Sequence, residues 1–199
     1  MLTRLFQITT QMKLKNQSTV FKMTLIGLSL ALYVAFSFAS FDLRVTKISM
    51  TGIPVIFISV VYGPLEGALV GGVGEFIYQL THYGLELMTP LWLLPPLARG
   101  LVVGFMFKHK NPKQHPVLWI VTVAVSCLIV TTINTFSLWA VGWLFYEVDV
   151  KAILIAIVIR IATSIATAVV YAVLIPVLFV PLIKQGKFET EQTKEKGSN

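Results

Sequence analysis

Three ionisable residues stand where hydrocarbon should forbid them. Glu75, Arg99 and Arg160 each lie inside a long apolar run of the 199-residue chain. A charge in mid-bilayer is costly, so such residues face a bundle interior, a charged partner or a wet cavity. Glu75 is about 16 Å along an apolar span that starts near residue 64, at 1.5 Å per residue. Arg99 is about 13 Å into the next span by the same rise. The two spans enter from opposite sides of a core about 30 Å thick, so these depths nearly coincide. Consecutive spans are usually neighbours, which makes a Glu75–Arg99 ion pair the first expectation and direct ligand contact by either residue the alternative. Arg160 lies about 12 Å into the last span. Its planar fork suits the grip of a carboxylate or phosphate, and an anion contact is weighed there against a structural role.

Hydrogen-bonding and aromatic residues gather in the same outer half: Gln79, His82, Asn134, Ser137 and Thr163, with Trp92, Trp139 and Trp143. Small-molecule pockets are lined this way, by apolar and aromatic side chains with a few placed polar groups. Gln79, Trp92, Asn134, Trp139 and Thr163 are therefore candidate substrate-binding residues. For Trp143 an interfacial aromatic belt is the better reading. His82 reads as a solvated histidine near the outer interface.

The elements that must position these residues are membrane helices. The chain is 56% hydrophobic with 13% charged residues, about half the charge of a soluble domain, and its mean hydropathy is +0.80. Six spans are predicted over 21–41, 48–62, 64–83, 90–107, 117–144 and 152–183, giving an all-α bundle. The second is short for a crossing, which takes about 20 residues. Gly63-Pro64 turns the chain into the third, since Pro is well placed to open a helix. Residues 1–20 are read as a cytoplasmic or interfacial segment, 21–183 as the membrane domain and 184–199 as a polar cytoplasmic tail.

Orientation follows from the basic residues. Eleven of the 16 (Arg4, Lys13, Lys15, Lys22, Lys108, Lys110, Lys113, Lys184, Lys187, Lys194 and Lys196) lie on one side, against Arg44, Lys47 and Lys151 on the other. The positive-inside rule makes both termini cytoplasmic. The net charge of +7 is thus a topology signal, with no nucleic-acid partner implied. No cleavable signal peptide is read at the start, because the first span is too long for one.

Catalytic signatures are missing: no HExxH, GxSxG or Walker A sequence is written here. The one cysteine, Cys127, reads as a small buried hydrophobe. The three histidines make no metal set, and neither a metal nor a cofactor is implied.

Small residues recur every four positions. Gly63, Gly67 and Gly71 form one such face, Gly100 and Gly104 another, and Ala31, Ala35 and Ala39 a third within SLALYVAFSFAS. Such spacing lets helices approach closely in lipid. The alanine face is either ordinary bundle packing or a flat docking surface for another membrane protein.

Taken with the six spans, this alanine face resembles the substrate-binding S components of energy-coupling factor (ECF) vitamin transporters, over residues 22–183. RVTKISMTGIPVIFISVVYGPLEGALVGGVGEF is similar to the folate-type members, with a polar loop, a short helix, a Gly-Pro turn and a Gly-rich helix. LLPPLARGLVVGFMF looks like their fourth helix with its Arg-Gly pair, here Arg99-Gly100. Glu75 stands where that pattern has Asp. The resemblance implies a subunit that captures a water-soluble, carboxylate-bearing vitamin (folate or pantothenate) from outside and delivers it inward by toppling in the bilayer. It implies a transmembrane coupling subunit, docked on Ala31, Ala35 and Ala39, and two cytoplasmic ATPases. It adds Arg44 and Lys47, in the loop after the first span, to the candidate binding residues.

Two other classes are weighed. One is a stand-alone proton-coupled carrier with Glu75 as its proton site. The other is an intramembrane enzyme using Glu75 and His82, which lie about two helical turns apart on one face.

Overall fold

A computed structural model of the chain describes residues 19–42, 47–107, 116–145 and 150–184. Arg44, most of the N-terminal segment and nearly all of the polar tail lie outside them. Among the described residues six helices follow one another: α1 (Thr19–Phe38), α2 (Gly52–Val61), α3 (Pro64–His82), α4 (Thr89–Phe107), α5 (Pro116–Phe145) and α6 (Val150–Lys184). Between α1 and α2 a two-residue antiparallel ladder pairs Phe41 with Ile48 and Asp42 with Lys47. The predicted spans match these helices, with ends shifted by up to four residues. The helices long and apolar enough to cross a membrane are α1, α4, Val117–Gly142 of α5 and Ile157–Ile175 of α6. The 19 residues of α3 would also reach across, at about 28 Å, but four glycines and two glutamates lower their hydropathy.

The ten residues of α2 rise only about 15 Å, half a crossing. Nine of the ten are buried, because GIPVIFISVV is apolar all round and such a helix belongs in a core. One face, Ile53, Ile56 and Val60, packs with Val103 and Phe107 of α4, Trp119 and Val123 of α5 and Ile175 of α6. The other, Val55, Ile58 and Val61, packs with Tyr33 of α1 and Val70 of α3. The bundle is thus built around α2. Tyr62 then leads into Gly63, whose φ of 120° is open to glycine and strained for any other residue. Pro64 follows at the first turn of α3.

α1 shows two opposite faces. Ser29, Tyr33 and Ser37 are buried, while Ala31, Ala35 and Ala39 are exposed. Two residues are about 200° around a helix, so these sets must point apart.

Glycines set how closely α3 and α4 lie. A side chain at Gly100 would collide with the backbone of Gly67 and Ala68, and one at Gly104 with the backbone of Pro64. At Gly71 it would stand 2.6 Å from the Pro96 carbonyl oxygen. Gly67 meets Ser59 of α2 instead. Gly67, Gly71, Gly100 and Gly104 therefore lie in helix contacts, as their spacing predicts. Within α4, Pro95 removes the N–H that would bond the Leu91 carbonyl. The buried Ser137 hydroxyl of α5 donates to that oxygen across a long 3.5 Å.

Gly100→Val should prevent folding or sharply lower the melting temperature in detergent, because backbone cannot move aside as a side chain can. Gly27→Ala, at a position with nothing within 4 Å, should change stability by no more than about 1 kcal/mol. Thermal unfolding of the two purified variants checks the contrast.

Candidate functional site

The outer ends of α1, α3, α4, α5 and α6, with the turns at 49–51 and 83–88, enclose a cavity of about 760 Å³. That is the size range of small-molecule sites. Tyrosine and tryptophan rings line it (Tyr33, Tyr78, Tyr83, Trp92 and Tyr171), together with Glu75, Gln79, Arg99, Asn134, Arg160 and Thr163.

Its acidic corner is built from α1 and α3. Tyr33 donates from Oη to Glu75 Oε2 at 2.7 Å, and Gln79, one turn on, donates from Nε2 to Oε1 at 2.8 Å. A carboxylate offers about four acceptor sites, so both oxygens can still accept. Gly74 lets Tyr33 in, since a Cβ there would lie 2.5 Å from its ring.

The basic corner is built from α2, α4 and α6. Tyr171 is 1% exposed; its hydroxyl donates to the Ser49 carbonyl at 2.7 Å and accepts from the Gly52 N–H at 3.1 Å. It thereby caps the start of α2, whose Thr51 makes no side-chain capping bond. The Arg99 guanidinium lies 5.5 Å from the centre of the Tyr171 ring. Gly52 must be glycine here, because a side chain would meet both Arg99 Nη1 and the Tyr171 ring.

The expected Glu75–Arg99 ion pair is therefore replaced by separate partners. Both line the cavity. Glu75, however, turns toward α1, where the Tyr33 hydroxyl reaches it, while Arg99 turns toward Tyr171 and the start of α2. Among the described residues the ion pair present is Lys22–Glu66, 3.0 Å apart at the other end of the bundle, where Lys22 also lies over the Tyr62 ring.

Five candidate binding residues come together at the cavity: Gln79, Trp92, Asn134, Arg160 and Thr163. Arg160 is half-buried, as are Asn134 and Thr163. Trp139 does not join them. It lies five residues after Asn134, about 140° around the helix, and is 46% exposed beside Phe136. Lys47 lies in the short ladder. His82 is outside the lining, stacked on Tyr78 at 5.2 Å. The sequence reading passed over Tyr33 and Tyr171. A tyrosine inside an apolar span was the available signal, since a buried phenol needs a hydrogen-bond partner. Among the described residues no group of three or more His, Cys, Asp or Glu could hold a metal ion.

The family model for the ECF transporter substrate-specific component matches residues 21–179. The chain belongs to this family. It is an integral membrane subunit of a transporter, not an enzyme. A crystal structure of FolT bound with folic acid is similar in fold, with a TM-score of 0.60 at 23% identity, covering 78% of this chain and 90% of that one. No curated protein matches the sequence.

Tyr171→Phe in this S component removes one donated and one accepted hydrogen bond in a buried setting. It should lower stability by about 1–3 kcal/mol, read as a lower melting temperature of the ligand-free protein.

Proposed function

We propose that this S component captures a carboxylate-bearing, water-soluble vitamin of the folate class from outside the cell. The observation that carries the reading is the division of charge in the cavity, with Glu75 in one corner, Arg99 in another and Arg160 further out on α6, among tyrosine and tryptophan rings. A flat heteroaromatic ring suits the aromatic lining. A carboxylate suits Arg160, whose fork can hold it in bidentate fashion. Arg44 and Lys47 remain candidates for the rim. Folic acid in a protein of similar fold supports the same class.

The partners proposed are a transmembrane coupling subunit and two cytoplasmic ATPases. Ala31, Ala35 and Ala39 form the docking face on α1. In support, all three are exposed, and Gly27, one turn earlier, has open space around it. A smooth face of this kind lets a second helix come close. Delivery would then follow from toppling of the whole component in the bilayer, powered by the partners.

Small molecules retained by the purified protein, identified by mass spectrometry, should include a folate. Arg160→Ala should weaken folic acid by at least about tenfold, the loss of one charge-assisted hydrogen bond, in isothermal titration. Unchanged affinity there, or retention of pantothenate instead, would sink the reading. Ala35→Trp should abolish copurification with the coupling subunit and leave folic acid affinity intact.

A further inference from the structure

One titratable side chain at the outer end of the bundle stands apart from the cavity lining. His82 is the last residue of α3 and is exposed, yet its imidazole sits among three aromatic rings. It stacks on Tyr78 at 5.2 Å, with 13° between the planes. Tyr83 stands across it at 4.5 Å, and Phe38 of α1 at 6.0 Å. Tyr78 in turn contacts both Phe38 and Tyr83. The cluster therefore ties the end of α1, the end of α3 and the turn that follows.

That turn is part of the cavity wall. Tyr83, Glu86, Leu87 and Met88 line the cavity, as does Tyr78, whereas His82 does not. At its α4 end the turn is tied down by Thr89. The Thr89 N–H donates to the Glu86 carbonyl at 3.0 Å, and the Thr89 hydroxyl accepts from the Glu86 N–H at 3.1 Å. At its α3 end Gly84 takes the chain out of the helix with a φ of 83°. There the Tyr83 side chain, 51% exposed, rests on the His82 and Tyr78 rings.

Protonation of His82 would act on this cluster with a definite sign. A cation is drawn to aromatic rings whose centres lie within about 6 Å, and all three rings meet that distance. A positive charge in the last turn of a helix is favoured by the helix dipole as well. Both attractions are present at low pH, where histidine is charged, and both fade as pH rises through the range where histidine loses its proton. The tyrosines stay neutral across that range. The charged groups on the same elements are Glu75, about two turns back on α3 and held by Tyr33 and Gln79, Glu86 in the turn, and Asp42 and Lys47 in the ladder after α1. We propose that His82 is a proton-operated clasp: charged, it holds the 83–88 turn against α1 and α3 and slows exchange of whatever the cavity contains.

The first measurement is the dissociation rate of folic acid from the purified full-length chain at about pH 5.5 and about pH 7.5; this arm rests on the folate-class reading. Dissociation should be about two- to fivefold slower at the lower pH, the worth of one exposed cation–π contact. His82→Phe keeps a flat ring without a charge, so its two rates should agree. His82→Arg is charged at both pH values and should be slow at both. A second measurement needs no ligand: the rate of cleavage after Glu86 by a glutamate-specific protease. Dividing the wild-type rate by that of His82→Phe at the same pH removes the protease's own pH dependence. This quotient should fall about two- to fivefold from the higher pH to the lower. A pH ratio in dissociation that persists in His82→Phe belongs to Glu75, Glu86 or the ligand, and overturns the clasp. Equal wild-type dissociation rates at the two pH values overturn it too, and so does a flat quotient, whichever vitamin binds. If folic acid fails to bind while the quotient falls, the folate-class reading fails and the clasp stands.

Discussion

In lipid, two helices carrying Glu75 and Arg99 cannot be drawn together by the hydrophobic effect, so backbone contact must do that work. Gly100 and Gly104 on α4 lie directly on the backbone of α3, and this contact fixes the distance between the helices below the cavity. Beyond it the aromatic rings and charges line the cavity. In α3 the close contacts made by Gly67 and Gly71 give way to Glu75 one turn later. In α4 the change runs the other way, with Arg99 and the two prolines on the cavity side of Gly100.

Dependence then passes to α2. A ten-residue apolar helix cannot cross a bilayer, and its backbone ends need partners inside the protein. Tyr171 supplies one by bonding Gly52 and Ser49, and its ring in turn holds the Arg99 guanidinium. One tyrosine thereby ties α6, α2 and α4 into a single floor. Removing its hydroxyl frees the helix start that this floor depends on.

Much of this was legible in the sequence. Apolar run lengths gave six helices, and the four-residue glycine spacing identified which faces meet. Depth along each span grouped Gln79, Trp92, Asn134, Arg160 and Thr163, and all five line the cavity. Depth alone carries no angle, however, and that is where the reading failed. Glu75 and Arg99 match in depth yet turn to different neighbours, and Trp139 sits near the level of Asn134 on another side of α5. The tyrosines were hidden for a related reason. Tyr33 and Tyr171 become polar anchors only through partners 42 and 122 residues away, pairings that no local pattern encodes.

The angular placement on α1 has a consequence for how binding and docking relate. Tyr33 and Ser37 face the cavity, and the proposed docking alanines face the opposite way on the same turns. The hydrogen bond from Tyr33 to Glu75 fixes the rotation of α1 against α3, and Gly74 is the notch that admits the ring. Rotating α1 to improve contact on its alanine face would pull Tyr33 off the Glu75 carboxylate that lines the cavity. A rigid helix with the cavity on one side and the proposed docking face on the other links the two without any large rearrangement inside the component. The coupling free energy would lie in that one hydrogen bond and the packing around it. The Lys22–Glu66 pair, nearer the start of α1, holds the same two helices together a second time.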